Sequence, residues 1–274
     1  MMESSPGADA PPLTPVAPVK PPAPYIGGKK RLAKQLSARI AVTPHVTYAE
    51  AFLGMGGVFF RRDVRPRAEV INDWSAEVHN FFRILQVHYL PFLEMMRFQI
   101  SSRAEFERLA AVEPSTLTDM QRAARFLYLQ RTAFGGKVSG RAFGVSPSTP
   151  VRFDITKLQP MLEEIHDRLV SVTIERLPWA DFIRRWDRAG TLFYLDPPYY
   201  GSEKDYGADM FGREEFAEMA DLLGSIKGRF ILSINDRPEI RTLFARFQID
   251  QVDVRYMIAG NDKARAFSEL IITN

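Results

Sequence analysis

Val46-Thr47-Tyr48-Ala49-Glu50-Ala51-Phe52-Leu53-Gly54-Met55-Gly56-Gly57 is a β-type run that ends in a cluster of glycines. Residues 46–52 predict a strand, and Gly54, Gly56 and Gly57 predict a turn where backbone can approach a ligand without obstruction by a Cβ. Residues 58–62 predict the opening of a helix, and residues 69–71 a second strand closed by Asn72-Asp73. Strand, glycine turn, helix, strand and acid, in that order, is the signature of an open α/β nucleotide-binding sheet. In such sheets the acid ending the second strand meets a ribose hydroxyl, which is the role expected of Asp73. The dinucleotide pattern G-x-G-x-x-G is absent and Asp73 follows at a shorter interval, which argues against an NAD enzyme.

Outward from this unit the alternation recurs. Upstream, residues 30–40 predict an amphipathic helix, preceded by Tyr25-Ile26-Gly27-Gly28-Lys29, where an aromatic ring, two glycines and a cation stand ready for an anionic group. It is not a P-loop, because the first glycine and the Ser/Thr after the lysine are missing. Residues 76–86 predict a helix. Downstream come strands at 172–177, 191–195 and 229–234 and a helix at 213–226. Residues 249–257 and 267–273 read as an antiparallel hairpin joined through Gly260-Asn261-Asp262.

The strand at 191–195 runs into Phe193-Tyr194-Leu195-Asp196-Pro197-Pro198-Tyr199-Tyr200. Two prolines without N–H and with fixed φ make a stiff turn that presents acceptors beside an aromatic face. A carboxylate and a backbone carbonyl next to a stacking ring suit the exocyclic amine of a nucleobase. The strand that ends Leu232-Ser233-Ile234-Asn235-Asp236 predicts packing, with a site role open for Ser233 or Asn235.

Residues 87–164 break the alternation. Thr118 and Gln121 predict a capping box for a helix whose Met120, Ala123, Ala124 and Leu127 share a face. Between Asp119 and Asp154 there is no acid, while Arg122, Arg125, Arg131, Lys137, Arg141 and Arg152 alternate with aromatic residues. In the helix these rings predict core packing. In the glycine-broken loop Phe134-Gly135-Gly136-Lys137-Val138-Ser139-Gly140-Arg141 the pattern suits a surface that grips phosphates.

Composition narrows the field. The chain has 274 residues, 46% hydrophobic and 25% charged, enough for one large domain or a domain with an insertion. It has no cysteine, so disulfides, thiolate metal sites and cysteine nucleophiles are excluded, and its four histidines form no close pair. A formal net charge of +3 and pI of about 9.1 permit nucleic-acid binding. No stretch predicts a membrane span or a signal peptide, so a soluble intracellular protein is expected. Residues 1–24, rich in Pro and Ala, are expected to be a disordered arm.

Taken in order, Tyr25-Ile26-Gly27-Gly28-Lys29, Glu50-Ala51-Phe52-Leu53-Gly54-Met55-Gly56, Asn72-Asp73 and Asp196-Pro197-Pro198-Tyr199 resemble the motifs of the Dam-like (D12 class, α-group) DNA adenine-N6 methyltransferases. The resemblance spans residues 25–274, with Tyr25 where the family usually has Trp and Ala51 where it often has Pro. It implies an α/β, Rossmann-like methyltransferase sheet formed by residues 25–86 and 165–274. Residues 87–164 are then an inserted, mainly helical target-recognition domain carrying a hairpin loop. It implies S-adenosyl-L-methionine as cofactor, held by Tyr25, Lys29, Phe52, Gly54, Gly56, Asp73 and Asp196. Asp196, Pro197 and Tyr199 are the implied catalytic residues, without a metal, and Arg131, Lys137 and Arg141 the expected DNA contacts. The implied partner is double-stranded DNA, methylated at N6 of a flipped adenine in a bacterial or phage-encoded cytoplasmic setting. A cognate restriction endonuclease and a monomer or weak dimer belong to the same expectation. Rival readings are an amino methyltransferase acting on cytosine N4, RNA or a protein amide, and a DNA-binding relative without catalysis.

Overall fold

A computed structural model describes residues 11–138, 140–144, 152–201, 211–256 and 265–274. In chain order the elements are β1 (Thr14–Pro15), α1 (Ala33–Val42), β2 (Thr47–Glu50), β3 (Val64–Arg65), β4 (Ala68–Asn72) and α2 (Ala76–Val87). Then follow α3 (Tyr89–Met96), α4 (Arg103–Ala111), α5 (Asp119–Thr132), α6 (Ile155–Leu169), β5 (Thr173–Glu175), α7 (Trp179–Trp186) and β6 (Thr191–Leu195). The chain ends with α8 (Glu215–Leu223), β7 (Arg229–Asn235), α9 (Pro238–Leu243), β8 (Gln248–Tyr256) and β9 (Arg265–Thr273).

Seven strands form one sheet in the order β5-β4-β2-β6-β7-β9-β8. The first five are parallel, and β9 runs antiparallel to both β7 and β8. The chain proceeds from β2 outward to β4 and β5, then returns to lay β6 and β7 on the other flank. The order therefore reverses between β2 and β6, paired from Thr47 opposite Thr191 to Glu50 opposite Tyr194. A crevice opens at the carboxyl ends of strands at such a reversal. The glycine turn follows β2, and the Asp-Pro-Pro-Tyr turn follows β6. Topology thus brings together two motifs almost 150 positions apart.

All five residues of β6 are buried, as expected of a central parallel strand covered on both faces. One core gathers Phe59, Phe60, Phe81, Phe82 and Phe92 with Leu127 of α5. The other gathers Phe182, Phe193, Phe216, Met219 and Phe230. The helical segment is continuous with the first core: Phe81 and Phe126 lie 5.8 Å apart, and Asn80 donates to the Asp119 carbonyl at 2.7 Å. At the start of α5 the capping box of Thr118 and Gln121 is complete.

Several sequence expectations shift. Residues 58–62 form only a short 3₁₀ turn, Phe59–Arg61, because Arg62 turns to extended backbone and buries its guanidinium on Glu69. Helix α6 runs through residue 164, so the expected domain boundary falls inside a helix whose Leu158, Leu162, Ile165 and Leu169 are all buried. The glycine-broken loop closes through a bridge between Ala133 and Phe143, with Phe134 N–H donating to Ala142 at 2.8 Å. Its Ser139, like the Gly260-Asn261-Asp262 turn, lies outside the described residues. Residues 11–24, expected to be disordered, are placed on the domain, with Val19, Pro22 and Ala23 buried. Composition alone misjudged them, since proline has little backbone freedom to lose and its carbonyls still accept hydrogen bonds. Among the described residues no helix is long and apolar enough to cross a membrane.

Candidate active site

A cavity of about 1570 Å³ occupies the crevice. Its floor depends on two backbone turns meeting closely. A Cβ at Gly57 would stand 2.7 Å from the Gly28 carbonyl oxygen, a contact no side chain tolerates. Gly54 has φ of +51°, and a Cβ there would meet the Tyr25 ring at 3.0 Å. The Tyr-x-Gly-Gly-Lys segment therefore packs directly on the glycine turn. Gly56 closes that turn, its N–H donating to Leu53 at 2.8 Å, and is buried rather than on the cavity wall.

Asn72 braces the same end of the sheet. Its amide donates to the Ala51 and Leu177 carbonyls at 3.0 and 3.1 Å, and its oxygen accepts from Leu177 N–H at 2.8 Å. Next to it Asp73, half-buried, accepts from the N–H groups of Gly54 at 2.8 Å and Ser75 at 2.9 Å. Burial pushes its carboxyl up to about 6 despite those donors. Phe52 and Trp179 supply an apolar wall, and Trp179 donates to Glu215 at 3.4 Å.

Asp196 stands at the end of β6 with a partly accessible side chain (18% exposed). Its Oδ1 lies 3.1 Å from Lys29 Nζ and 3.3 Å from Ser233 Oγ, which in turn shares a 2.8 Å hydrogen bond with the Tyr194 hydroxyl. Lys29 Nζ also pairs with Glu269 Oε2 at 2.7 Å and donates to the Tyr199 hydroxyl at 2.9 Å. Tyr199 donates onward to Glu269 Oε1 at 2.8 Å, and its ring faces the ammonium 4.4 Å away. Burial pushes the Asp196 carboxyl up to about 6; Lys29 pulls it down and Glu269 pushes it up. Asp196, Pro198 and Tyr199 line the cavity, and Pro197 is buried. Asn235 fixes the following residue, accepting from Tyr200 N–H at 2.9 Å and donating to its carbonyl at 3.0 Å.

Lys29 is thus committed to protein carboxylates, at a φ of +40° uncommon for a side-chain-bearing residue. The cluster has two carboxylates on one ammonium. Glu50 lies at the same cavity, buried and hydrogen-bonded by the Tyr48 hydroxyl at 2.6 Å, with burial pushing its carboxyl up to about 8. Immediately around Lys29 the carboxylates therefore outnumber the cations, in a cavity otherwise lined also by Lys30, Arg31, Arg61 and Arg141. Among the described residues no group of His, Asp and Glu side chains has the arrangement of a metal site.

The expected DNA contacts divide. Arg131 also lines the cavity and ties its guanidinium to structure, donating to the Arg152 carbonyl at 3.0 and 2.9 Å and to Pro22 at 2.9 Å. Arg141 lines the cavity, held by the Lys137 carbonyl at 3.1 Å and by Gln130 at 3.4 Å. Lys137 is exposed.

The D12 class N6 adenine-specific DNA methyltransferases match this chain over residues 25–258. The chain belongs to that family. As a member it is an enzyme that methylates DNA at adenine N6. It is similar to the type II methyltransferase M1.LlaDCHI of Lactococcus lactis subsp. cremoris, 24% identical over 283 residues, covering 91% of this chain and 93% of the relative. It is also similar to the type II methyltransferase M.CviBI of Paramecium bursaria Chlorella virus NC1A, 22% identical over 240 residues, covering 87% and 91%. The methyltransferase sheet puts all four motifs at one crevice. Sequence reasoning did not find Glu269, Glu50 or Asn72 as site residues. A lone acid inside the apolar run Phe267-Ser268-Glu269-Leu270-Ile271 was the available signal for Glu269, since unpaired carboxylates are rarely buried.

Proposed function

We propose that this methyltransferase transfers a methyl group from S-adenosyl-L-methionine to N6 of an adenine flipped out of double-stranded DNA, with Asp196 and the Pro197 carbonyl as acceptors for the amine. The observation that carries the reading is the Asp196 carboxylate, tethered by Lys29 and Ser233 beside Tyr199 at the sheet reversal.

The residues present fit the cofactor. The glycine floor leaves room for a ligand against backbone, Asp73 suits ribose hydroxyls, and Phe52 and Tyr25 offer faces for its apolar parts. The acidic surplus around Lys29 suits a cationic group. When bound, the sulfonium supplies an activated methyl group.

Adenine N6 is a poor nucleophile because its lone pair is delocalised into the ring. Two hydrogen bonds, one to Asp196 Oδ2 and one to the Pro197 carbonyl, draw the nitrogen toward a pyramidal geometry that returns the lone pair. Among the described residues both protein contacts of the carboxylate fall on Oδ1, and the other oxygen is given to the amine. N6 accepts the methyl group that S-adenosyl-L-methionine, held against the glycine turn by Phe52 and Asp73, would supply. The surplus proton on N6 passes to Asp196, whose carboxyl near 6 suits a transient acceptor at neutral pH. Tyr199, steadied by Glu269 and Lys29, presents its ring to the base in place of lost duplex stacking, worth a few kcal/mol. In-line positioning supplies much of the rate.

Residues 87–164, with Arg141 and Lys137 on the loop, act as the target-recognition part. The enzyme works in the cytoplasm of a bacterium or in a phage-infected cell, as a monomer or weak dimer, alongside a restriction endonuclease of the same specificity.

Asp196→Ala tests the assignment. It should stay folded and bind DNA yet show no methyl transfer; a folded variant with wild-type turnover would overturn it.

A further inference from the structure

Residues 14–24 form a strap from the sheet-bearing half of the molecule to the recognition segment. Its first anchor is on the catalytic side. There β1 pairs antiparallel with β3, Val16 N–H donates to Asp63 at 2.9 Å, and Val19 N–H donates to Phe60 at 2.7 Å. Its second anchor is α5, where Arg131 donates to the Pro22 carbonyl at 2.9 Å and Gln130 to the Pro24 carbonyl at 2.8 Å. Only Lys20 and Pro21 span the gap, and both line the cavity. Val19 on one side and Pro22 and Ala23 on the other are buried, while Lys20 is exposed. The backbone is fixed immediately around a lysine whose charged end is in water at the cavity wall. Among the described residues Lys20 forms no ion pair. Arg61, next to the residue that anchors Val19, lines the same cavity, as do Lys30 and Arg31.

We propose that the strap is a DNA-backbone contact, in which Lys20 neutralises a phosphate at the mouth of the cavity. The proposal rests on the DNA reading above and extends it to a segment upstream of the family match, which begins at residue 25. An ammonium on a flexible stem suits a phosphate as a point charge. Such a contact positions the duplex without reading its sequence. Holding the strap at both ends keeps that charge in place without ordering a loop on binding, which would weaken affinity. With Arg141 on the recognition loop, it would place cations on both parts of the molecule that border the cavity.

Lys20→Ala and Lys20→Glu in the full chain test this, measured as affinity for unmodified duplexes across a salt series. Lys227→Ala serves as control, an exposed lysine just before β7 at the opposite end of the sheet from the crevice. Removing one phosphate contact should reduce the slope of log K against log salt by roughly one unit. Affinity should fall equally on duplexes of different sequence, further for Lys20→Glu, with cofactor affinity unchanged. A slope equal to that of a wild type that itself binds with steep salt dependence would overturn the proposal. So would an equal change in Lys227→Ala. A wild type whose DNA affinity ignores salt would instead overturn the DNA reading, and the strap contact with it.

Discussion

Replacing Glu269 by Gln probes the centre of the site with the least change of shape. Glu269 is 1% exposed, bonds Lys29 at 2.7 Å and Tyr199 at 2.8 Å, and shares the Lys29 ammonium with Asp196. The amide keeps an acceptor for Tyr199 but removes a charge, turning a cluster with one negative charge in surplus into a neutral pair. Breaking a buried ion pair costs about 3–5 kcal/mol when it strands its partner. Lys29 retains Asp196 and is not stranded, so a smaller loss, about 1–2 kcal/mol for a weakened charged hydrogen bond, is expected. At about 2–4 °C per kcal/mol for a chain of this size, the thermal midpoint should drop by roughly 2–8 °C. The second effect has a sign. Glu269 pushes the Asp196 carboxyl up, so without its charge that carboxyl ionises below its present value of about 6. On the proposed mechanism Asp196 must be ionised to accept the N6 proton, so the acid limb of the rate profile should move to lower pH. The variant should then keep a larger share of its own maximal rate at about pH 6 than the wild type. Thermal unfolding and single-turnover methyl transfer between about pH 5 and 8 measure both effects. A variant as stable as the wild type, with a superimposable acid limb, would refute the coupling of Glu269 to Asp196 through Lys29.

Gly57→Ala drives a Cβ onto the Gly28 carbonyl, so cofactor affinity should fall at least about tenfold and stability by about 1–3 kcal/mol, read by calorimetry and thermal melts. Asn235→Ala frees the Tyr200 backbone, and should lower turnover about tenfold (near 1.4 kcal/mol) while leaving cofactor affinity unchanged. Arg131→Ala should lower the melting temperature without changing the salt dependence of DNA binding, whereas Arg141→Ala and Lys137→Ala should weaken DNA binding and shift site preference. Glu50, raised to about 8 by burial, holds a proton in the fold that the unfolded chain releases near 4.5. Its contribution is complete below about pH 4.5 and is lost as pH rises toward 8, by at most about 5 kcal/mol, so Glu50→Gln should flatten that part of the stability profile in denaturant titrations.

The sheet was legible because its strands and turns are written locally. Residues 191–195 and the Asn72-Asp73 strand end appear in the structure where apolar runs and turn residues place them. The capping box of Thr118 and Gln121 is equally local. What escaped depends on partners distant in sequence. Lys29 reads as a cation for an anionic ligand until its contact with Glu269, 240 positions away, is known. Arg131 reads as a phosphate grip, and its bonds to the carbonyls of Pro22 and Arg152 are visible only in the fold. The strap escaped because composition counts apolar side chains, whereas its order comes from backbone bonds to Phe60, Asp63 and two α5 side chains.

The most direct test of the central claim is to incubate the purified protein with methyl-labelled S-adenosyl-L-methionine and unmodified genomic DNA, then digest the DNA and identify the labelled nucleoside. Label in N6-methyl-2′-deoxyadenosine, abolished by Asp196→Ala, is the predicted result. Label on cytosine N4, in RNA or in protein, or no label from a protein that binds the cofactor, would contradict it.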